Sequence, residues 1–174
     1  MEFRVLGAVE VVHGGQVVAV GGSRERAVLA RLLLSANQVV AQDTLVDDLW
    51  PGDQPEGGRA AAVQTYVSRL RKALRPVGGD DVLVTRPPGY LLAIEPDALD
   101  ATRFEALVRR ARRSAADGQH AAAATTFAEA LALWRGSAYP GLTDLPFARA
   151  EAARLEEARL DALEARIESD LACG

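Results

Sequence analysis

The stretch "VQTYVSRLRKALR" at residues 63–75 holds four cations, Arg69, Arg71, Lys72 and Arg75, beside the phenol of Tyr66, with no acid among them. Guanidinium and ammonium groups bind phosphate oxygens, and guanidinium, phenol and hydroxyl groups also reach base edges in a duplex groove. At about 100° per residue, Val63, Val67, Leu70 and Leu74 fall within an arc of roughly 60°, which is the signature of a buried stripe. Thr65, Ser68, Arg69 and Lys72 fall on the opposite side, with Tyr66 and Arg71 on the flanks. The spacing predicts an amphipathic helix that turns hydroxyls, a phenol and cations outward. A helix that merely meets water carries cations too, but such a face normally mixes signs, and residues 57–79 contain no acid.

The elements that must hold this helix can be read on either side of it. Residues 1–22 alternate and are rich in β-branched side chains, with a hairpin signal at His13-Gly14-Gly15, and predict two or three short antiparallel strands. At Ser23 the period becomes helical: Val28, Leu29, Leu32, Leu33 and Ala36 share a face, with Ser23 as the expected N-cap and Asn37 as the end. A short extended piece and a second helix over about 43–50 follow, capped by Asp43 and stopped by Pro51-Gly52. The Pro/Gly loop "PGDQPEGG" leads into the basic helix over about 58–75. "VLVT" and "YLLAI" then form a hairpin with Arg86 at its tip. Three helices followed by a basic hairpin predict a winged helix-turn-helix, in which one helix enters the major groove and the wing meets the neighbouring minor groove. An arginine at the wing suits a narrow, strongly negative groove.

From residue 97 onward the sequence is Ala-rich and helical. Phe104, Leu107, Val108, Ala111 and Ala115 lie on one helix face; Ala124, Phe127, Leu131 and Trp134 line a second; Leu160, Leu163, Ile167 and Leu171 line a third. The last stripe has few partners in its own chain and is expected to seek cover. The fold class expected is α+β: a winged helix-turn-helix with strands before and after three helices at 1–95, then an all-α, tetratricopeptide-like domain at 96–174.

The chain has a net charge of −4, so a polyanion site has to be a local patch. No apolar run approaches the roughly 18 residues that span a bilayer, and the start of the chain lacks the features of a signal peptide. One cysteine, Cys173, excludes an internal disulfide framework. These features favour a cytoplasmic location. His13 and His120 have no partners at metal-ligand spacing, and "GGQVVAVGG" lacks the context of a nucleotide loop. Asp43, Asp47 and Asp48 read as a cap and a solvated face, Trp50 and Trp134 as core anchors. No nucleophile–base arrangement points to catalysis; no enzyme activity, metal or cofactor is expected.

Four blocks, "GGSRERAVLARLLLSANQVV", "DTLVDDLWP", "VQTYVSRLRKAL" and "VTRPPGYLLAI", resemble the OmpR/PhoB-type winged helix of the Streptomyces antibiotic regulatory proteins. "DALDATRFEALVRRARRSAADG", "FAEALALWRG" and "FARAEAARLEEARLDALEARIE" resemble the start of that family's bacterial transcriptional activator domain, which in the family continues through further helices, so this domain is expected to be truncated. The resemblance implies an activator of antibiotic or other secondary-metabolite genes that binds direct repeats in double-stranded DNA and recruits RNA polymerase holoenzyme. It implies major-groove reading by Thr65, Tyr66 and Arg69, backbone contacts by Arg71 and Lys72, and a wing contact by Arg86. Arg24 and Arg26 are further phosphate candidates at a helix start. Asp53 and Glu56, in the loop matching the family's polymerase-facing segment, suit a basic surface on polymerase. Direct repeats make a head-to-tail contact between protomers on DNA natural. The competing expectation is a protein-interaction or ligand-sensing module in which the helical domain carries the main activity.

Overall fold

The computed structural model describes residues 1–52 and 58–173; Asp53 and Glu56 lie outside the described residues. Strands β1 (Glu2–Arg4), β2 (Glu10–His13) and β3 (Gln16–Val18) form an antiparallel sheet, with Phe3 opposite Val11 and Val12 opposite Val17. Helix α1 (Ser23–Leu34), strand β4 (Val39–Ala41), helix α2 (Gln42–Leu49) and helix α3 (Arg59–Leu74) follow, then strands β5 (Leu83–Arg86) and β6 (Gly89–Leu92). The second sheet has the order β4-β6-β5 and is antiparallel throughout. Its centre admits only glycine at position 89, because a Cβ there would sit 1.9 Å from the carbonyl oxygen of Val40. That close approach seats the wing hairpin β5–β6 against β4.

Two caps differ from the expectation. The residue before α1 is Gly22, and Ser23 is the first helical residue; the Gly22 N–H is satisfied instead by Oε2 of Glu25, at 3.1 Å. Ala41 precedes α2 and Asp43 lies inside its first turn, where an acid still complements the helix dipole. Asn37, at a φ of 64°, leaves α1 and ties the chain to the end of β6, donating to Ile94 O at 2.8 Å and accepting from Ile94 N at 3.0 Å.

Helices α4 (Asp100–Ala116), α5 (His120–Leu131) and α6 (Pro146–Leu171) complete the fold. Phe104, Val108 and Ala111 on α4 are buried, as are Ala124 and Phe127 on α5. Trp134 lies past the end of α5 and meets Phe104 edge-on, with centroids 5.5 Å apart. The stripe on α6 has few partners in this chain, as its sequence suggests. Leu160, Leu163, Ile167 and Leu171 are exposed, whereas Ala148, Ala152, Leu155 and Ala162 are buried. The buried apolar face of α6 is thus made of three alanines, which let the neighbouring backbones approach, and Leu155.

One continuous core runs from the first sheet through the three-helix set into α4–α6. Phe3 bridges to Leu99, in parallel, at the entry to α4. The segment after β1 is gripped from the helical side. Asp100 is buried and accepts the N–H groups of Val5 and Leu6 at 2.8 and 3.1 Å, while Arg135 donates to Asp100 Oδ2 at 3.2 Å. The backbone N–H groups of Arg135 and Tyr139 donate to Leu6 and Val5 in turn, at 2.8 and 3.2 Å. Burial raises the Asp100 carboxyl above its ordinary range, against the pull of those N–H groups and of Arg135.

Candidate nucleic-acid interface

Helix α3 is anchored by the stripe its periodicity predicts: Val63, Val67, Leu70 and Leu74 are at most 1% exposed. Burial of such side chains contributes about 1.5–3 kcal/mol each relative to exposure, and it fixes which face turns outward. Thr65, Ser68, Arg69 and Lys72 are exposed on that face, while Tyr66 and Arg71 are half-buried at its edges. No acid lies within α3, and Arg71 and Lys72 occupy its last turn, where cations are favoured by the helix dipole.

Several of these groups have partners. Thr65 Oγ1 donates to the carbonyl of Ala61 at 2.9 Å, and a hydroxyl that donates can still accept. Arg71 ties the helix to the wing: Nε donates to Leu83 O and Nη2 to Thr85 Oγ1, both at 2.8 Å, and its guanidinium lies 5.9 Å from the centre of the Tyr90 ring. Arg69 meets an acid from another element, Glu25 on α1, with Nη1 2.8 Å from Oε1. Hydrogen bonding to Arg69 holds the Glu25 carboxyl below its ordinary range, outweighing the effect of its burial.

The wing tip presents Arg86, Pro87 and Pro88, all exposed. Arg24 and Arg26 lie exposed at the start of α1. Arg24 donates to Leu49 O at 2.8 Å and stacks over Trp50 with its guanidinium 5.2 Å from the ring centre. Arg26 donates to Gly21 O at 3.2 Å.

Trp50 is where sequence reasoning missed most. It is half-buried, and its ring gathers Arg24, Arg59 at 5.7 Å and Tyr66, stacked at 6.5 Å between centroids and 24° between planes. The tryptophan therefore connects the starts of α1 and α3 beside the outward face. Arg59, in the first turn of α3, could have been found from the acid-free run it opens. The packing around Trp50 had no sequence signal. Among the described residues no group of three or more His, Cys, Asp or Glu side chains is placed to hold a metal ion, and no helix is long and apolar enough to cross a membrane.

Comparison with known proteins follows the same division. Residues 16–92 match the family described as "Transcriptional regulatory protein, C terminal", and residues 99–174 the family described as "Bacterial transcriptional activator domain". The whole chain is 36% identical to regulatory protein AfsR of Streptomyces griseus, spanning 17% of that protein. It is 36% identical to regulatory protein DnrI of Streptomyces peucetius, spanning 66% of it. With transcriptional regulatory protein EmbR of Mycobacterium tuberculosis the identity is 36% and the span 45%. A solved structure of EmbR in complex with a low-affinity phosphopeptide superposes with a TM-score of 0.94 at 35% identity, over 99% of this chain and 46% of that one. The chain thus spans between about a sixth and two thirds of the relatives it matches. An OmpR/PhoB-type winged helix at 16–92 joined to a bacterial transcriptional activator domain at 99–174, with relatives aligned along the chain, places it in the Streptomyces antibiotic regulatory protein family of transcriptional regulators.

Proposed function

We propose that this chain is a sequence-specific activator that binds direct repeats beside promoters of antibiotic or other secondary-metabolite genes and brings RNA polymerase holoenzyme to them. The observation that carries this reading is the outward face of α3, cationic and hydroxyl-bearing, without an acid of its own, and tied through Arg71 to a wing that carries Arg86. Residues 1–95 serve as the DNA-binding unit and residues 96–174 as the activator unit. Thr65, Tyr66, Ser68 and Arg69 read base edges in the major groove, and Arg86 enters the adjacent minor groove. Lys72, Arg24 and Arg26 hold phosphates. Arg71 has N–H groups left beyond its bonds to the wing, and these reach the backbone as well. Asp53 and Glu56 face polymerase.

Selection of bound duplexes from a random pool by the full chain tests the reading. A recovered sequence with a repeated half-site in one orientation is expected. Recovery of no sequence above background overturns it. Inosine substitution next to the half-site checks the wing: it should alter affinity in the native chain and leave Arg86→Ala unaffected.

A further inference from the structure

Beneath the basic face of α3 lies a buried acid, Glu25, 6% exposed. Both of its carboxylate oxygens are engaged. Oε2 accepts the Gly22 N–H at 3.1 Å, and Oε1 accepts Nη1 of Arg69 at 2.8 Å. The Arg69 side chain is itself 64% exposed. Its Nε and Nη2 groups have no protein partner among the described residues.

Holding one nitrogen of a planar guanidinium limits rotation of the plane, so the remaining donors keep one direction. A bidentate contact to a guanine edge needs two coplanar N–H groups presented together. A phosphate accepts from many directions and gains mainly from net positive charge. A carboxylate 2.8 Å from the guanidinium lowers that net charge. The arrangement therefore weakens Arg69 as a phosphate clamp and orders it as a base reader.

Glu25 is in turn seated by the turn before α1. Gly21 has a φ of 97°. A Cβ added there would stand 2.9 Å from Glu25 Cγ and 3.0 Å from its Cβ. The Gly21 carbonyl accepts from Arg26 at 3.2 Å. Only glycine combines that backbone conformation with that contact.

We propose that Glu25, seated by the Gly21-Gly22 turn, is a positioning residue that sets Arg69 to read a base edge and so determines specificity at the base pair Arg69 meets. This rests on the reading of α3 as the helix that enters the groove. The test uses the full chain, the duplex it selects from a random pool, and a scrambled duplex of the same composition. Affinity for both is measured over a range of salt for Glu25→Ala, Glu25→Gln, Gly21→Ala, Arg69→Ala and the Glu25→Ala/Arg69→Ala pair, with melting temperatures to establish folding. Glu25→Ala is expected to lower discrimination between the duplexes about tenfold, to raise affinity for the scrambled duplex, and to steepen its salt slope by about one. Glu25→Gln keeps the shape and an acceptor oxygen but removes the charge, and should fall between native and Glu25→Ala. Gly21→Ala should shift all three readouts in the direction of Glu25→Ala. In the Arg69→Ala background, Glu25→Ala should change discrimination no further. Equal loss on both duplexes with an unchanged salt slope, or the same loss in the Arg69→Ala background, reduces the pair to a brace between α1 and α3 and overturns the proposal. A native chain that selects no sequence overturns the reading of α3 first, and is recognised before any variant is made.

Discussion

Helices α3 and α4 are both rich in arginine, and the fold gives their cations different partners. On α4, Arg109 faces Glu105 at 3.9 Å, Arg110 faces Glu129 at 2.9 Å and Arg112 faces Asp161 at 3.6 Å. Those acids come from α4 itself, α5 and α6, so the charge of these three arginines is met close to where it arises. On α3, Arg69 meets a buried acid, Arg71 meets neutral oxygens and Lys72 is exposed. A count of arginines would rank α4 first. On α3 the acid comes from beneath, bonds one nitrogen of Arg69 and leaves that side chain 64% exposed, so an arginine's partner and remaining exposure say more about a polyanion interface than the number of arginines does.

Four measurements test this contrast. The largest effect is expected at Asp100, the buried acid at the start of α4. Asp100→Ala strands the Val5 and Leu6 N–H groups and removes a partner of Arg135. A loss of about 2–4 kcal/mol of stability is expected, from the cost of leaving buried donors unsatisfied, and denaturant unfolding measures it. The DNA preference of the folded fraction should be unchanged.

Next comes the pair Arg69→Ala and Arg110→Ala. The first should cost roughly 1–3 kcal/mol at the selected duplex and relax specificity at one or two base pairs. The second, on α4, should leave affinity for both duplexes within error, because surface pairs of its kind contribute only about 0–1 kcal/mol, and to stability. A comparable loss of binding from both variants would end the distinction between the two helices. Titration by fluorescence anisotropy against both duplexes decides it.

Lys72→Ala is expected to weaken the selected and scrambled duplexes about equally and to lower the magnitude of the salt slope by about one. Affinity measured across a salt series reads both quantities. Loss confined to the selected duplex would make Lys72 a base reader.

The smallest effects are in pH, and they have opposite signs in the two helical systems. Pairing with Arg69 lowers the Glu25 pKa from its ordinary value of 4.5. The contribution of Glu25 to stability is therefore present above 4.5 and is lost as pH falls through its lower folded value. Burial raises the Asp100 pKa from its ordinary 3.8, so the folded state binds the proton more tightly. Stability contributed through Asp100 therefore falls as pH rises from 3.8 through its folded value. Unfolding of the native chain, Glu25→Gln and Asp100→Asn between pH 3 and 7 separates the two. The native chain should lose stability relative to Glu25→Gln on acidification and gain it relative to Asp100→Asn.

Much of this molecule is legible in one dimension. The periodicity of Val63, Val67, Leu70 and Leu74 names the buried side of α3, because a helix of that pitch has one way to bury four apolar residues at that spacing. The Gly-Gly hairpin, the three-helix order and the strand pair around "RPPG" are local and follow from turn chemistry. The α6 helix shows where such reading stops: its stripe is short of partners, as expected, but the residues that do pack are chosen by its neighbours. Ala148, Ala152, Ala162 and Leu155 are the buried apolar ones, since interhelical distance is a property of the pair and not of either helix.

The candidate site divides in the same way. Residue type and helical phase by themselves determined that Thr65, Tyr66, Ser68, Arg69 and Lys72 share the side opposite the buried stripe, and that Arg86 sits at a hairpin tip. Packing of distant segments was needed to show that Glu25, 44 positions away in the chain, holds Arg69, that Arg71 braces the wing, and that Trp50 gathers Arg24, Arg59 and Tyr66. Helical phase depends on neighbours a few residues apart. The partner of a long, flexible cation depends on which distant segment the packing of α1 against α3 brings beneath it.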